Sequence, residues 1–306
     1  MFPQVLIMEV VFMADNTVTA KVASGQQRYM ARVIHYDISY VVQGAQHGTD
    51  GAIVLLHDLV GGAFTWADVM PQLAGTNRAV YAIDMLGYGQ SEHAWPADTS
   101  IWGQADCLSM LFEQLNLTNI VLVGHGSGGG VAQVLATRLS RERVAALVLI
   151  DTTCFLYSHA ANWPLTEMEK RTDPEAPFQT KVEDMMKDLV ETLPHGSHDP
   201  QRFRAFMSDY TGEWNSEIGK QLLFQHIRLE IPNYSNAVAS DLKTLGKPTL
   251  IIWGEADEQF PLKLAYRLHR DIPGSQLVTV ADAGHLILFD APGAVARAVS
   301  NFVGSL

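Results

Sequence analysis

Residues 120–130, Ile-Val-Leu-Val-Gly-His-Gly-Ser-Gly-Gly-Gly, constrain the fold of this chain most strongly. Four consecutive apolar residues, Ile120 to Val123, read as a strand buried on both faces. A glycine-rich turn follows, and Val131-Ala132-Gln133-Val134-Leu135-Ala136 begins a helical pattern. A strand that turns sharply into a helix presents its turn at the edge of a sheet. The backbone N–H groups of the helix start then point at an anion or oxyanion. Two readings fit the turn itself. In a small-x-nucleophile-x-small turn, Gly124 and Gly128 are the small residues and position 126 should carry the nucleophile. That residue is Gly126, and the serine stands one place later, at Ser127. In the other reading, Gly124-x-Gly126-x-x-Gly129 is a dinucleotide-binding fingerprint, with Asp151 beyond the next strand as its acidic partner.

The rest of the chain alternates strands with helices. Residues 34–42 alternate apolar and polar and read as a half-buried strand. Residues 53–56, 79–84 and 147–150 read as strands, and 66–73 as a short helix. A helical stripe runs through Ile101, Ala105, Leu108, Phe112 and Leu115. From about 153 to 245 the alternation stops. Helical patterns at Val182/Met185/Met186/Leu189, Phe203/Phe206/Met207/Tyr210 and Trp214/Ile218/Leu222 are punctuated by prolines. The rhythm resumes with strands at 249–253 and 276–280, a helix from Pro261 between them, and a last helix opened by an Asp290 cap and Pro292. This order implies an α/β fold, a doubly wound and mostly parallel sheet. Residues 1–152 and 246–306 form its core, and 153–245 a helical cap.

With 306 residues, 47% of them hydrophobic, the chain can bury one large α/β core with an insertion. The net charge of -12 argues against nucleic-acid and anionic-membrane partners, both of which need basic patches. Cys107 and Cys154 are too few for a disulfide framework or a metal cluster. The apolar residues 2–13 lack a basic flank, carry Glu9 and are too short to span a bilayer as a helix. A cytoplasmic protein, monomer or homodimer, is expected.

Two later loops bear on the turn. The strand ending at Trp253 runs into Gly254-Glu255-Ala256-Asp257, which places a carboxylate just past a strand's carboxyl end. The strand ending at Val280 runs into Asp282-Ala283-Gly284-His285, which places an imidazole in the equivalent loop. Ligands in open α/β sheets bind at that edge. The chain order of turn, acid and histidine is that of the α/β-hydrolase triad. From about residue 30 the chain resembles the α/β-hydrolase fold superfamily with a helical cap. His57-Asp58-Leu59-Val60-Gly61-Gly62 is similar to that family's His-Gly oxyanion loop, with Asp58 where glycine is usual. Asp84 with Gly87-Tyr88-Gly89-Gln90-Ser91 resembles its turn after the fourth strand. The dinucleotide fingerprint normally follows a domain's first strand, whereas here several strands precede it.

The resemblance implies an enzyme, a hydrolase, with His285 as general base and Asp257 orienting it. It also implies oxyanion donors in the backbone N–H groups of Leu59 and Ser127, in a loop altered by Asp58. His57 and His125 are expected to be structural, and the glycines 128–130 to permit close helix-on-strand packing. The nucleophile position, Gly126, carries no reactive atom. Four accounts stay open: a natural serine replaced by Gly126, Ser127 acting from a distorted turn, base catalysis by His285 and Asp257 alone as in cofactor-free dioxygenases and some lyases, or a non-catalytic ligand receptor. The cap's aromatic side chains, Trp163 among them, imply a gated apolar pocket. The expected substrate is a small hydrophobic ester, ketone or related carbonyl compound, with no organic cofactor and no metal.

Overall fold

The computed structural model describes residues 26–44, 50–155, 178–230 and 232–306. Eight strands form one sheet: β1 (Gln26–Val33), β2 (Tyr36–Gln43), β3 (Ala52–Leu56), β4 (Ala79–Ile83), β5 (Ile120–His125), β6 (Val144–Ile150), β7 (Thr249–Gly254) and β8 (Gln276–Val280). Their order is β1-β2-β4-β3-β5-β6-β7-β8. The first two strands form an antiparallel hairpin that joins β4 antiparallel; every other pairing is parallel. The fold is therefore α/β, with a mostly parallel sheet, as expected.

β3, β6 and the Ile120–Val123 part of β5 are apolar at every position because both sheet faces are covered. Successive side chains point to opposite faces. Leu122 and Leu149 join one core with Phe112 and Leu135, while Val121, Val123, Val148 and Ile150 join a second with Trp66, Val299 and Phe302. Six longer helices matter for the site: α1 (Ile101–Gln114), α2 (Ser127–Val134), α3 (Phe178–Thr192), α4 (Glu217–Leu229), α5 (Lys263–Asp271) and α6 (Pro292–Val303).

Several sequence expectations need correction. The strand expected over 34–42 begins only at Tyr36, and Ile34 sits at φ 57° in the turn that joins it to an earlier partner strand. The partner strand β1 is polar at Gln26, Gln27, Arg28 and Arg32, which hid it from a hydrophobicity reading. The helix expected over 66–73 is a 3₁₀ turn, Ala63–Trp66, followed by one turn of α-helix, Met70–Leu73. Helix α2 begins at Ser127, immediately after the turn, four residues before the apolar pattern starts. Asp290 does not cap α6, whose N-cap is Ala291. Its carboxylate instead accepts bonds from Gly284 N–H, His198 N–H and the Ser197 hydroxyl.

Between Phe178 and Leu242 the described residues contain helices and turns without a strand. Val182, Met185, Met186 and Leu189 are buried on α3 as their spacing predicts. Ile218 is instead 65% exposed, because the inward face of α4 runs through Leu222, Leu223, His226 and Ile227. Trp163 lies outside the described residues, as do residues 156–177 of the expected cap. No helix among the described residues is long and apolar enough to cross a membrane.

Candidate active site

The turn after β5 takes the form its glycines allow. Gly126 has φ 53° and ψ -119°, a backbone conformation that L side chains rarely adopt. Its N–H donates to Ile150 O, and its carbonyl accepts from Gly129 and Thr153 N–H. Gly128 and Gly129 lie where a Cβ would stand 2.4 Å from His57 O and 1.9 Å from Thr152 Oγ1. They let α2 close down on the strands, which accounts for the fingerprint-like spacing. Asp151, the residue suggested as a ribose partner, accepts from Gly254 N–H and is fully buried. Burial, then the nearby Asp257 charge, pushes its carboxyl well above the usual range.

Asp257 and His285 meet. His285 Nδ1 lies 2.9 Å from Asp257 Oδ2. The other carboxylate oxygen accepts from Gln259 and Phe260 N–H, both at 2.8 Å. Phe260 packs edge-on to the imidazole, with ring centroids 4.9 Å apart. His125 Nε2–H donates to the His285 carbonyl at 2.8 Å and fixes the backbone beneath the ring. Asp290 holds Gly284 from the far side of the loop. Both members of the pair are buried, His285 to 1% exposure and Asp257 to 6%. Burial acts on His285 to lower its pKa, but the charges and hydrogen bonds of Asp257 and Asp58 outweigh that and hold it well above the usual histidine value.

Asp58, named from the sequence as a departure in the oxyanion loop, occupies this corner. Its Oδ2 stands 3.1 Å from His285 Nε2, and its Oδ1 accepts Ser127 N–H at 2.7 Å. The reason is in the sheet. β3 and β5 are parallel neighbours with Leu56 level with Gly124. Two residues further along the chain from each, just past the strand ends, Asp58 and Gly126 lie side by side. A Cβ on residue 126 would stand 1.8 Å from Asp58 Oδ1. The missing side chain at 126 is thus the space that the Asp58 carboxylate fills. The loop around it is fixed by His57, whose Nε2 accepts from Met85 N–H at 3.0 Å. Its Nδ1 must then carry the proton, which it donates to Asp58 O at 2.7 Å. Gly61 N–H bonds the same carbonyl.

The Ser127 side chain is committed to Glu230. Its hydroxyl donates to the Glu230 carboxylate, and both groups are buried. It therefore ties the turn to the segment after α4, while its backbone N–H serves the corner. Leu59 is buried in the Asp58 loop. Of the expected pocket aromatics, Tyr210 joins Val60, Leu193, Leu286 and Leu288 in walling a cavity over Asp58, His125 and His285. The cavity is narrow, about 20 Å³, the space of one water. Trp214 packs instead against Tyr88 and His226. Sequence reasoning named Asp58 as a departure in the oxyanion loop and missed its contact with His285, as it missed the Ser127–Glu230 bond. The departures at 58 and 126 were each visible in the sequence, and only their shared register links them.

Asp58, His125 and His285 also bring one ligand atom apiece within 4.8 Å of one another. His125 and His285 each have one ring nitrogen committed to a neighbour, and the remaining imidazole contact is with Asp58 itself.

Known proteins resemble this chain in sequence and in fold. The profile of the alpha/beta hydrolase fold family matches residues 51–292. The uncharacterized hydrolase YugF of Bacillus subtilis is 26% identical over 265 residues, 82% of this chain and 89% of that protein. The 2-hydroxy-6-oxo-2,4-heptadienoate hydrolase of Pseudomonas putida is 25% identical over 269 residues, 84% of this chain and 91% of its own. The solved haloalkane dehalogenase DbeA from Bradyrhizobium elkani superposes with a TM-score of 0.77 at 19% identity, covering 92% of this chain and 98% of that one.

Proposed function

The chain belongs to the α/β-hydrolase fold family, and from that premise we propose that it is a hydrolase for a small, largely apolar compound, working through His285 and Asp257 without a serine acyl-enzyme. One observation carries this reading: a buried imidazole, backed by a carboxylate, faces a corner where neither residue 126 nor Ser127 offers a nucleophilic oxygen. The hydrolase names of relatives that match most of the chain support it. The apolar walls and small volume of the cavity support a small hydrophobic substrate.

Esters and carbonyl compounds, the substrates expected from sequence, place their developing oxyanion on the Ser127 N–H. Here Asp58 Oδ1 already holds that donor, so carbonyl chemistry requires Asp58 to withdraw first. The reading is tested with p-nitrophenyl acetate and butyrate, and with small apolar epoxides. Wild-type protein should hydrolyse at least one of them, and His285→Ala should slow that reaction about 10²–10⁴-fold. A fluorophosphonate should not label the wild type. Labelling at Ser127, or hydrolysis indifferent to His285→Ala, contradicts the reading.

A further inference from the structure

We propose that Asp58 is the catalytic nucleophile of this protein, a carboxylate carried on the loop after β3 in place of a side chain on the β5 turn. The inference rests on the hydrolase reading above and names its substrate class, a compound with an oxygen leaving group on a strained saturated carbon, for which a small apolar epoxide is the simplest case.

Three observations meet at Asp58. Its Oδ1 sits on the N–H of Ser127, at the first residue of α2, where the partial positive charge of the helix start favours an anion. Its Oδ2 lies 3.1 Å from the nitrogen of the base that faces the corner. It keeps 13% of its side-chain surface open and lines the cavity under Tyr210 and Leu193. A side chain on 126 would occupy the same space, so glycine there and aspartate at 58 are one feature. A natural serine at 126 has no room beside Asp58 in this arrangement.

The geometry also selects the electrophile. A carboxylate attacking an ester carbonyl needs a separate donor for the substrate oxyanion, and Ser127 N–H is taken. Attack on a saturated carbon needs none. In the first step Asp58 Oδ2 forms a bond to a ring carbon of the epoxide and the C–O bond breaks. The leaving oxygen takes the proton from His285 Nε2, which the two flanking carboxylates keep available. A halide leaving group would have no use for that proton. The product is an alkyl ester on Asp58 beside a neutral imidazole. In the second step His285 Nε2 removes a proton from water, which attacks Cγ of the ester. The Oδ1 oxyanion then rests on Ser127 N–H, where the carboxylate oxygen already was. Collapse breaks the Cγ–O bond to the alcohol, whose alkoxide takes the proton of the new carboxyl. Asp58 returns as carboxylate and His285 as imidazolium. The sum is epoxide plus water giving a vicinal diol.

The probes are 1,2-epoxybutane, 1,2-epoxyhexane and styrene oxide. His285→Gln cannot activate water, so it should accumulate a covalent adduct of the epoxide mass on the peptide holding Asp58. The double variant Asp58→Asn/His285→Gln should show none. If His285→Gln does not fold, wild-type protein in excess over epoxide, reacted once in H₂¹⁸O, replaces it. The diol should then carry ¹⁶O at the new hydroxyl, and Asp58 should gain ¹⁸O. Asp58→Asn should lower steady-state turnover at least about a thousandfold. The assignment is overturned by adducts absent with all three probes, by adducts that persist without Asp58, or by first-turnover ¹⁸O appearing in the diol. Hydrolysis that depends on His285 while Asp58 stays unlabelled removes the nucleophile and leaves the proposed function standing. No hydrolysis of any ester or epoxide removes both.

Discussion

At the scale of single residues, the site is a contest for one nitrogen and one N–H. His285 Nε2 and Ser127 N–H each face a corner that a side chain on 126 would share, and Asp58 takes both. Two carboxylates now act on one imidazole, so its charged form is favoured in spite of burial. For a histidine whose folded pKa is raised, the stabilising contribution is complete below the unfolded value near 6.5 and disappears as pH rises through the folded value. Asp58→Asn should therefore lower the His285 pKa, read from ring ¹⁵N shifts, and shift the alkaline loss of stability to lower pH. An unchanged His285 titration would show that Asp257 alone sets its charge. Gly126→Ser makes the complementary test. Alone, its Cβ collides with the carboxylate, and it should neither label with a fluorophosphonate nor gain esterase activity. Combined with Asp58→Gly it should do both, because the pair then rebuilds an ordinary turn. Labelling of the single variant would show that Asp58 yields its place readily.

At the scale of elements, the helical segment is fastened to the sheet edge by buried polar bonds. Ser127 at the start of α2 bonds Glu230 just beyond α4. His226 on α4 has its Nδ1 at Thr99 Oγ1 and its Nε2 at Gly87 O, and it stacks on Tyr88 at 4.3 Å. Its burial lowers its pKa to about 3, so it holds these positions uncharged. Ser127→Ala deletes a hydroxyl that serves a buried carboxylate. It should cost about 1–3 kcal/mol in urea-induced unfolding. It should leave the Ser127 N–H, and hence the nucleophile's station, in place. A variant as stable as wild type would mean that Glu230 is served equally well by its other contacts.

At the scale of the molecule, a partly buried acid couples the segment to the sheet edge. The Glu213 carboxylate accepts Gly89 N–H, from the loop after β4, at 2.7 Å. Burial is the main cause that raises its pKa to about 7, with Asp84 adding to it against the Gly89 bond. In the unfolded chain the group ionises near 4.3. The protonated form is thus the one the fold prefers, and its contribution is complete below that value and fades as pH rises toward 7. Glu213→Gln keeps an acceptor for Gly89 and cannot ionise. It should stabilise the protein at pH 8 by about 1–3 kcal/mol and leave it unchanged at pH 4. Chemical denaturation at the two pH values checks this, and equal effects at both would contradict the assigned cause.

The alternation of continuous apolar runs with helical stripes determined the parallel sheet, since strands covered on both faces must be apolar throughout and need crossover helices between them. The order of glycine turn, acid loop and histidine loop likewise placed Asp257 and His285 at one edge. Patterns of this kind are local, and the chain states them outright. The hairpin strand β1 escaped because its polar residues carry no hydrophobic signal, and Ile218 misled because an apolar residue need not face inward. Only the tertiary structure joined Asp58 to Gly126. They are separated by 68 positions in the chain and come level because β3 and β5 are neighbours in register. Read along the chain, each is a departure from a motif; across the sheet, the carboxylate of one occupies the space the other leaves empty.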